Sequence, residues 1–232
     1  MRIVLEGTPV QQSIPRAGLV AWHDLYDPTA SLASVPDLSG NGYSLQRGST
    51  AGADTNDPAW GTDGKGLVFV TDDYCLTGEL SGVTAADDWT VILSTTTNSS
   101  GYYWAIAASI KDYCCIRAGS AGNLRIKSSN STDSSESPFL AIIGPTVVVG
   151  QSADGILRFF CASNPASIVT CSNISTAVTA KISLMSLLGA APIAESTAYS
   201  HLFYNRALSD AELKRVHRSL KATWAARSVT IS

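Results

Sequence analysis

Cutting a glycosidic bond takes two carboxyl groups held roughly 5–9.5 Å apart, and this chain has little to build them from. Its glutamates are Glu6, Glu79, Glu136, Glu195 and Glu212, and none has an acidic residue two positions on within a strand-like run. Glu212 is committed elsewhere: with Ser209 it forms S-x-x-E, a reciprocal cap for a helix start. His23, His201 and His217 are far apart, and none stands at motif spacing from a carboxylate. His23 and His201 can meet only if the strands that carry them are neighbours. The chain has no G-x-S-x-G, no P-loop, no H-E-x-x-H and no complete G-x-G-x-x-G. The expectation is a protein without catalysis.

The other reactive side chains read as structural. Cys75, Cys114, Cys115, Cys161 and Cys171 are an odd set with no C-x-x-C, which argues against a fully paired disulfide framework and against zinc. They are read as buried thiols acting as small apolar residues. A Cys161–Cys171 bridge across a hairpin is the alternative. Tyr102, Tyr103 and Trp104 form the richest aromatic cluster, beside a turn at 98–101. Alternation sends Tyr103 to one face and Tyr102 with Trp104 to the other, so part of the cluster is core. Trp22, Trp89 and Trp224 read as packing residues. Trp60, in a loop rich in Gly and Asp, is the tryptophan expected at the surface. The candidate ligand contacts are therefore Trp60, Tyr102, Tyr103 and Trp104.

These residues need elements to hold them, and period-2 patterning supplies about twelve strands. "GLVAWHDL" puts Leu19, Ala21 and His23 on one face and Val20, Trp22 and Asp24 on the other. "DWTVILSTTT" sets Trp89, Val91 and Leu93 against Thr90, Ile92 and Ser94. "YYWAIAAS", "YCCIRAG" and "GNLRIKSS" follow, with a hairpin turn expected at 119–123. Asp154-Gly155 between two apolar runs is a strong hairpin signal. Residues 128–137, SSNSTDSSES, read as a solvated loop. One helix is expected near 209–225, with Leu213, Val216, Leu220 and Trp224 as its apolar stripe.

The bulk properties set the class. At 232 residues the chain can bury one sizeable core. A net charge of −3 gives no phosphate-tracking surface, so no nucleic acid partner is expected. The longest apolar stretch, 139–149, is broken by Gly144 and Pro145, too short for a bilayer that takes about 20 residues. Residues 1–6 are too short for a secretion leader, and none is expected. We divide the chain into an N-terminal arm, 1–15, and a domain, 16–232. Many strands with one late helix point to an all-β fold, a two-sheet antiparallel sandwich.

A resemblance sharpens this. "LVAWHDL" with "PDLSGNGYSL" near the start, and a strand followed by "YNRALSDAELKRV" near the end, resemble laminin-G-like, concanavalin A-like lectin domains. The resemblance implies a jelly roll whose first and last strands are neighbours. Its glucanase branch carries E-x-D-x-E on one strand, which is missing here. Many relatives bind calcium through loop carboxylates, which makes Asp72 and Asp73 the candidate Ca²⁺ ligands beside a plainer reading as turn formers. No other cofactor is expected. Such domains are common in bacteriophage tail-fibre and baseplate proteins, and virions leave cells by lysis without a leader. The expected function is a non-catalytic structural or adhesion protein of a phage virion. Its expected partners are other virion proteins or copies of itself, and host-surface glycan. The alternatives are a glycan-active hydrolase or lyase, and a secreted lectin.

Overall fold

Alternating apolar and polar residues bury one face of a strand, and two such faces make a core. The computed structural model describes residues 14–50, 54–70, 72–96, 100–120, 123–130, 132–138, 140–141, 145–176, 180–189 and 196–232. The arm expected at 1–15 lies outside them as far as Ser13. In chain order the strands are β1 (Leu19–Asp24), β2 (Ser34–Val35), β3 (Leu45–Arg47), β4 (Ala59–Trp60), β5 (Leu67–Phe69) and β6 (Cys75–Leu76). Next come β7 (Trp89–Thr95), β8 (Gly101–Ala107), β9 (Tyr113–Ser120), β10 (Asn123–Ser129), β11 (Ser134–Glu136) and β12 (Leu140–Ala141). Last are β13 (Thr146–Ala153), β14 (Ile156–Cys161), β15 (Asn164–Ser172), β16 (Lys181–Leu184), β17 (Ser196–Tyr204) and the helix α1 (Asp210–Ala225).

The strands form two antiparallel sheets, the jelly-roll sandwich expected. Sheet 1 runs β15-β14-β13-β7-β17-β5-β4, with β1 also paired to β17. Sheet 2 runs β11-β10-β9-β8-β16-β6-β3-β2, with β12 also paired to β10. The two ends of the domain do lie side by side: Leu19 pairs with Tyr204 and Asp24 with Ser200. Between the sheets Trp89, Trp104 and Phe203 pack with ring centroids 5.1–6.4 Å apart. Asp154 and Gly155 both take positive φ, 50° and 73°, which closes the tight β13–β14 hairpin.

The "D-L-S-G-N-G" turn works as a staple. Asp37 accepts from the Trp22, Ser39 and Tyr43 amides, and Asn41 Nδ2 donates to the Leu19 and Val20 carbonyls. The helix begins as its cap predicts. Ser209 accepts from the Glu212 amide at 3.4 Å, and Glu212 accepts from the Ser209 amide at 3.0 Å. Leu213, Val216, Leu220 and Trp224 are buried against Leu19, Trp22, Ile92, Val147, Val149, Phe160, Leu202 and Tyr204, the outer face of sheet 1.

Three expectations need correction. The first is strict alternation in β1: the register slips between Leu19 and Ala21, so Val20 and Ala21 both join the inter-sheet core while Leu19 and Trp22 face the helix. The second is the loop at 128–137. Ser128 is buried and still part of β10, and 134–136 return as β11 along the same strand. Asn130 makes the return possible, its side-chain oxygen accepting from the Thr132 and Asp133 amides. The third concerns only the alternative to free thiols, the Cys161–Cys171 bridge: the two residues sit on neighbouring strands opposite Asn164 and Leu157, and both are free thiols, as the main reading has it.

Candidate functional site

Helix α1 covers the outer face of sheet 1. On the outer face of sheet 2, Ala105, Ala107, Tyr113 and Cys115 are buried in a small cluster with Leu187, while Tyr102 and a row of charged residues stay partly exposed. The residues of this second face follow from the pleat. Cys114, Ile116 and Ala118 of β9, and Leu124 and Ile126 of β10, point into the core. The alternate positions therefore carry Tyr113, Cys115 and Arg117, then Arg125 and Lys127, to the other side. Register lines them up in rows. Tyr102 of β8 faces Arg117, and Arg117 faces Arg125. One row on, Lys127 lies between Cys115 and Glu136 of β11.

The charges do not balance. Glu136 meets three cations: Lys127 at 3.0 Å, Arg117 at 4.0 Å, and Arg125 in the tightest contact. This cluster carries a formal +2, three cations less one carboxylate, on a chain of net −3. The four side chains are 15–29% exposed, so a ligand can reach them. Burial alone raises the Glu136 pKa. The hydrogen bond from Lys127 and the charges of Lys127, Arg125 and Arg117 outweigh it, and the carboxyl titrates below its ordinary range.

Two tyrosines flank the charges. Tyr102 and Tyr113 meet edge to face with centroids 6.2 Å apart. Arg117 lies 5.6 Å above the Tyr102 ring, and Lys127 lies 5.9 Å above the Tyr113 ring. Burial raises the pKa of both phenols, so they stay neutral hydrogen-bonding groups. They border a small apolar cluster of Ala105, Ala107, Leu187 and Leu188. Ala107 and Leu188 also line a depression of about 340 Å³ with Leu76, Glu79, Ala108, Ala180 and Lys181. Rings beside a shallow, polar hollow can take the apolar face of a sugar while charged groups reach its hydroxyls.

Of the residues predicted as contacts, Tyr102 is at this site. Tyr103 and Trp104 are not. The register slips between Tyr102 and Trp104, so Tyr103 and Trp104 both turn inward and are 0% exposed. Trp60 is half-buried on an edge strand of the other sheet, its Nε1–H donating to the Leu32 carbonyl. Asp73 is buried, accepting from the Val70 amide at 2.8 Å, and the Asp72 carbonyl accepts from Asn56 Nδ2. Burial, then the charges of Asp72 and Asp57, raise the Asp73 pKa. Among the described residues no group of three His, Cys, Asp or Glu side chains could hold a metal ion. His23 and His201 do meet, deep in the core and out of reach of any substrate.

Sequence reasoning missed Tyr113, Arg117, Arg125, Lys127 and Glu136. Arg125 and Lys127 stand two apart in a predicted strand, and that spacing was the available signal. Glu136 had none, because its segment reads as a loop.

No protein-family model matches the chain, and no curated protein matches it in sequence. Solved structures do match. Trypanosoma rangeli sialidase aligns with a TM-score of 0.59 at 13% identity over 90% of this chain. The chain spans about a third of that protein's length, 34%. Domain 4 of an extracellular arabinanase from Geobacillus stearothermophilus, solved with arabinotriose, aligns with a TM-score of 0.62 at 13% identity. It covers 87% of this chain and 98% of that one. The receptor binding domain of botulinum neurotoxin D aligns with a TM-score of 0.62 at 8% identity, over 88% of this chain and 53% of that one. At these identities the likeness shows the fold alone, a β-sandwich.

Proposed function

We propose that the domain is a non-catalytic binding module that recognises surface glycan through the outer face of sheet 2. One observation carries the reading: the helix closes sheet 1, and the outer face of sheet 2 presents Tyr102, a charged row and a hollow. The arabinanase domain, which matches nearly end to end and was solved with a sugar, supports it as an example of what the fold can hold. The reading extends to a setting: a bacteriophage particle, with the module in tail, baseplate or fibre beside other virion proteins or its own copies. The low-charge composition, 15% charged residues, and the resemblance of the C-terminal segment support that setting.

A glycan array with the purified protein tests the reading. Tyr102→Ala should lose most of the signal while keeping its thermal stability within about 1 kcal/mol, as half-exposed sites do. An empty array, or a Tyr102→Ala variant that binds as before, would overturn it. Release of reducing sugar from a bound glycan would replace it with a glycan-active enzyme. Labelling of phage particles by an antibody against the domain tests the setting.

A further inference from the structure

Arg117 and Arg125 stand directly opposite each other on neighbouring strands, a like-charge pair that destabilises a sheet. Both arginines pair with Glu136, which Lys127 also claims. Arg117 gets the weakest share: it is 4.0 Å from Glu136, and its Nε has no acceptor among the described residues. Its guanidinium instead rests over the Tyr102 ring. A surface selected for stability alone would place an acid between two facing arginines or replace one of them. That Nε is buried, but the Arg117 side chain as a whole is 29% exposed and lies beside Tyr102, where a bound sugar would present its substituents.

Resting on the glycan reading above, we infer that this face selects carboxylate-bearing sugars. Arg117 and Arg125 hold the sugar carboxylate, Tyr102 supports the ring, and Glu136 is the internal counter-ion that keeps the arginines aligned. A planar guanidinium matches a carboxylate with two parallel hydrogen bonds, which neither a hydroxyl nor a neutral sugar offers. Glu136 competes with the ligand for the same donors, so removing its charge strengthens binding.

The experiment measures affinity for uronic-acid and sialic-acid oligosaccharides beside their neutral parent sugars, with a single-stranded DNA oligonucleotide of matched charge. An acidic member should bind roughly tenfold or more tightly than its neutral parent, the worth of one charge-assisted hydrogen bond pair. That affinity should fall as salt rises from about 50 to about 300 mM. Arg117→Gln should abolish the acidic preference without lowering the melting temperature, and Glu136→Gln should raise acidic affinity several-fold while costing some stability. A purely structural ion cluster cannot give that opposite pair of effects. Neutral sugars bound as well as acidic ones, with Arg117→Gln unchanged, would sink the acid selection and leave the glycan reading standing. No binding to any sugar would sink both. DNA bound as tightly as the best sugar would make the face a general polyanion surface and overturn the inference.

Discussion

The Nδ1 atoms of His23 and His201 lie 3.0 Å apart in the core, with the rings stacked at 5.2 Å. Their surroundings fix the protons. His23 Nε2–H donates to the Tyr43 carbonyl at 2.7 Å, so His23 Nδ1 is the acceptor. Trp104 Nε1–H donates to His201 Nε2 at 3.2 Å, so the His201 proton sits on Nδ1 and points at His23. One chain of donors thus crosses from sheet 2 to sheet 1 and on to the segment after the Asp37 turn. It works only with both rings neutral.

Acid should therefore weaken the fold in a defined window. Burial, the largest influence on each ring, lowers both pKa values below 6.5. Above that pH the rings are neutral whether folded or not, and the stability they support is fully present. As pH falls below it, the unfolded chain takes up protons that the native core refuses, and stability drops. Melting curves between pH 8 and pH 5 should show the fall. His201→Gln should lower stability at pH 8 and cut the slope by about a third, since His217, also lowered by burial, titrates in the same window as His23 and His201. A slope unchanged by that variant would contradict the assignment.

A second window lies at lower pH. Glu212 is held down to about 2, first by the hydrogen bond from Arg206 and then by those from Ser209. Its contribution is present above the unfolded value, 4.5, and is lost as pH falls through about 2. Glu212→Gln should remove only Glu212's share of the pH dependence in that range, because Asp27, Asp37 and Glu136 are also held below their ordinary values. Separately, Ser209→Ala should cost about 1 kcal/mol in urea unfolding, the usual worth of an N-cap.

The helix stripe gives the largest expected effect on stability. Leu213 is 7% exposed among Trp22-side core residues, and Leu213→Asp would bury a charge with no partner. The expected cost is about 3 kcal/mol or more. Size-exclusion chromatography and urea unfolding should show an aggregated or unfolded variant. A soluble monomer of unchanged stability would show that the helix does not hold sheet 1.

The turn near the start can be tested in the same way. Asp37 accepts four hydrogen bonds, from the Trp22, Ser39 and Tyr43 amides and the Ser39 hydroxyl, at 2.7–3.0 Å. Asp37→Ala leaves these donors unmet and should cost about 2–4 kcal/mol. Asp37→Asn keeps the acceptor oxygen and should recover part of the loss.

Local pattern made much of this protein legible. The S-x-x-E start, the Leu213–Val216–Leu220–Trp224 stripe and the Asp154–Gly155 hairpin are written within a few residues each, and each stands where the chain predicts it. So do the alternating faces of β7 and the meeting of β1 with β17. The site was harder to read because it depends on partners far along the chain. A one-residue bulge in β8 decided that Tyr102 faces out while Tyr103 and Trp104 face in. The Ser-rich stretch became a strand because β10 offered it a free edge, and only that pairing carries Glu136 to the arginines. Which sheet the helix covers settled which outer face keeps its charged row partly exposed. Periodicity along one strand is set by its own residues, whereas register, bulges and edge pairing are set by neighbours, and so only the folded chain reveals them.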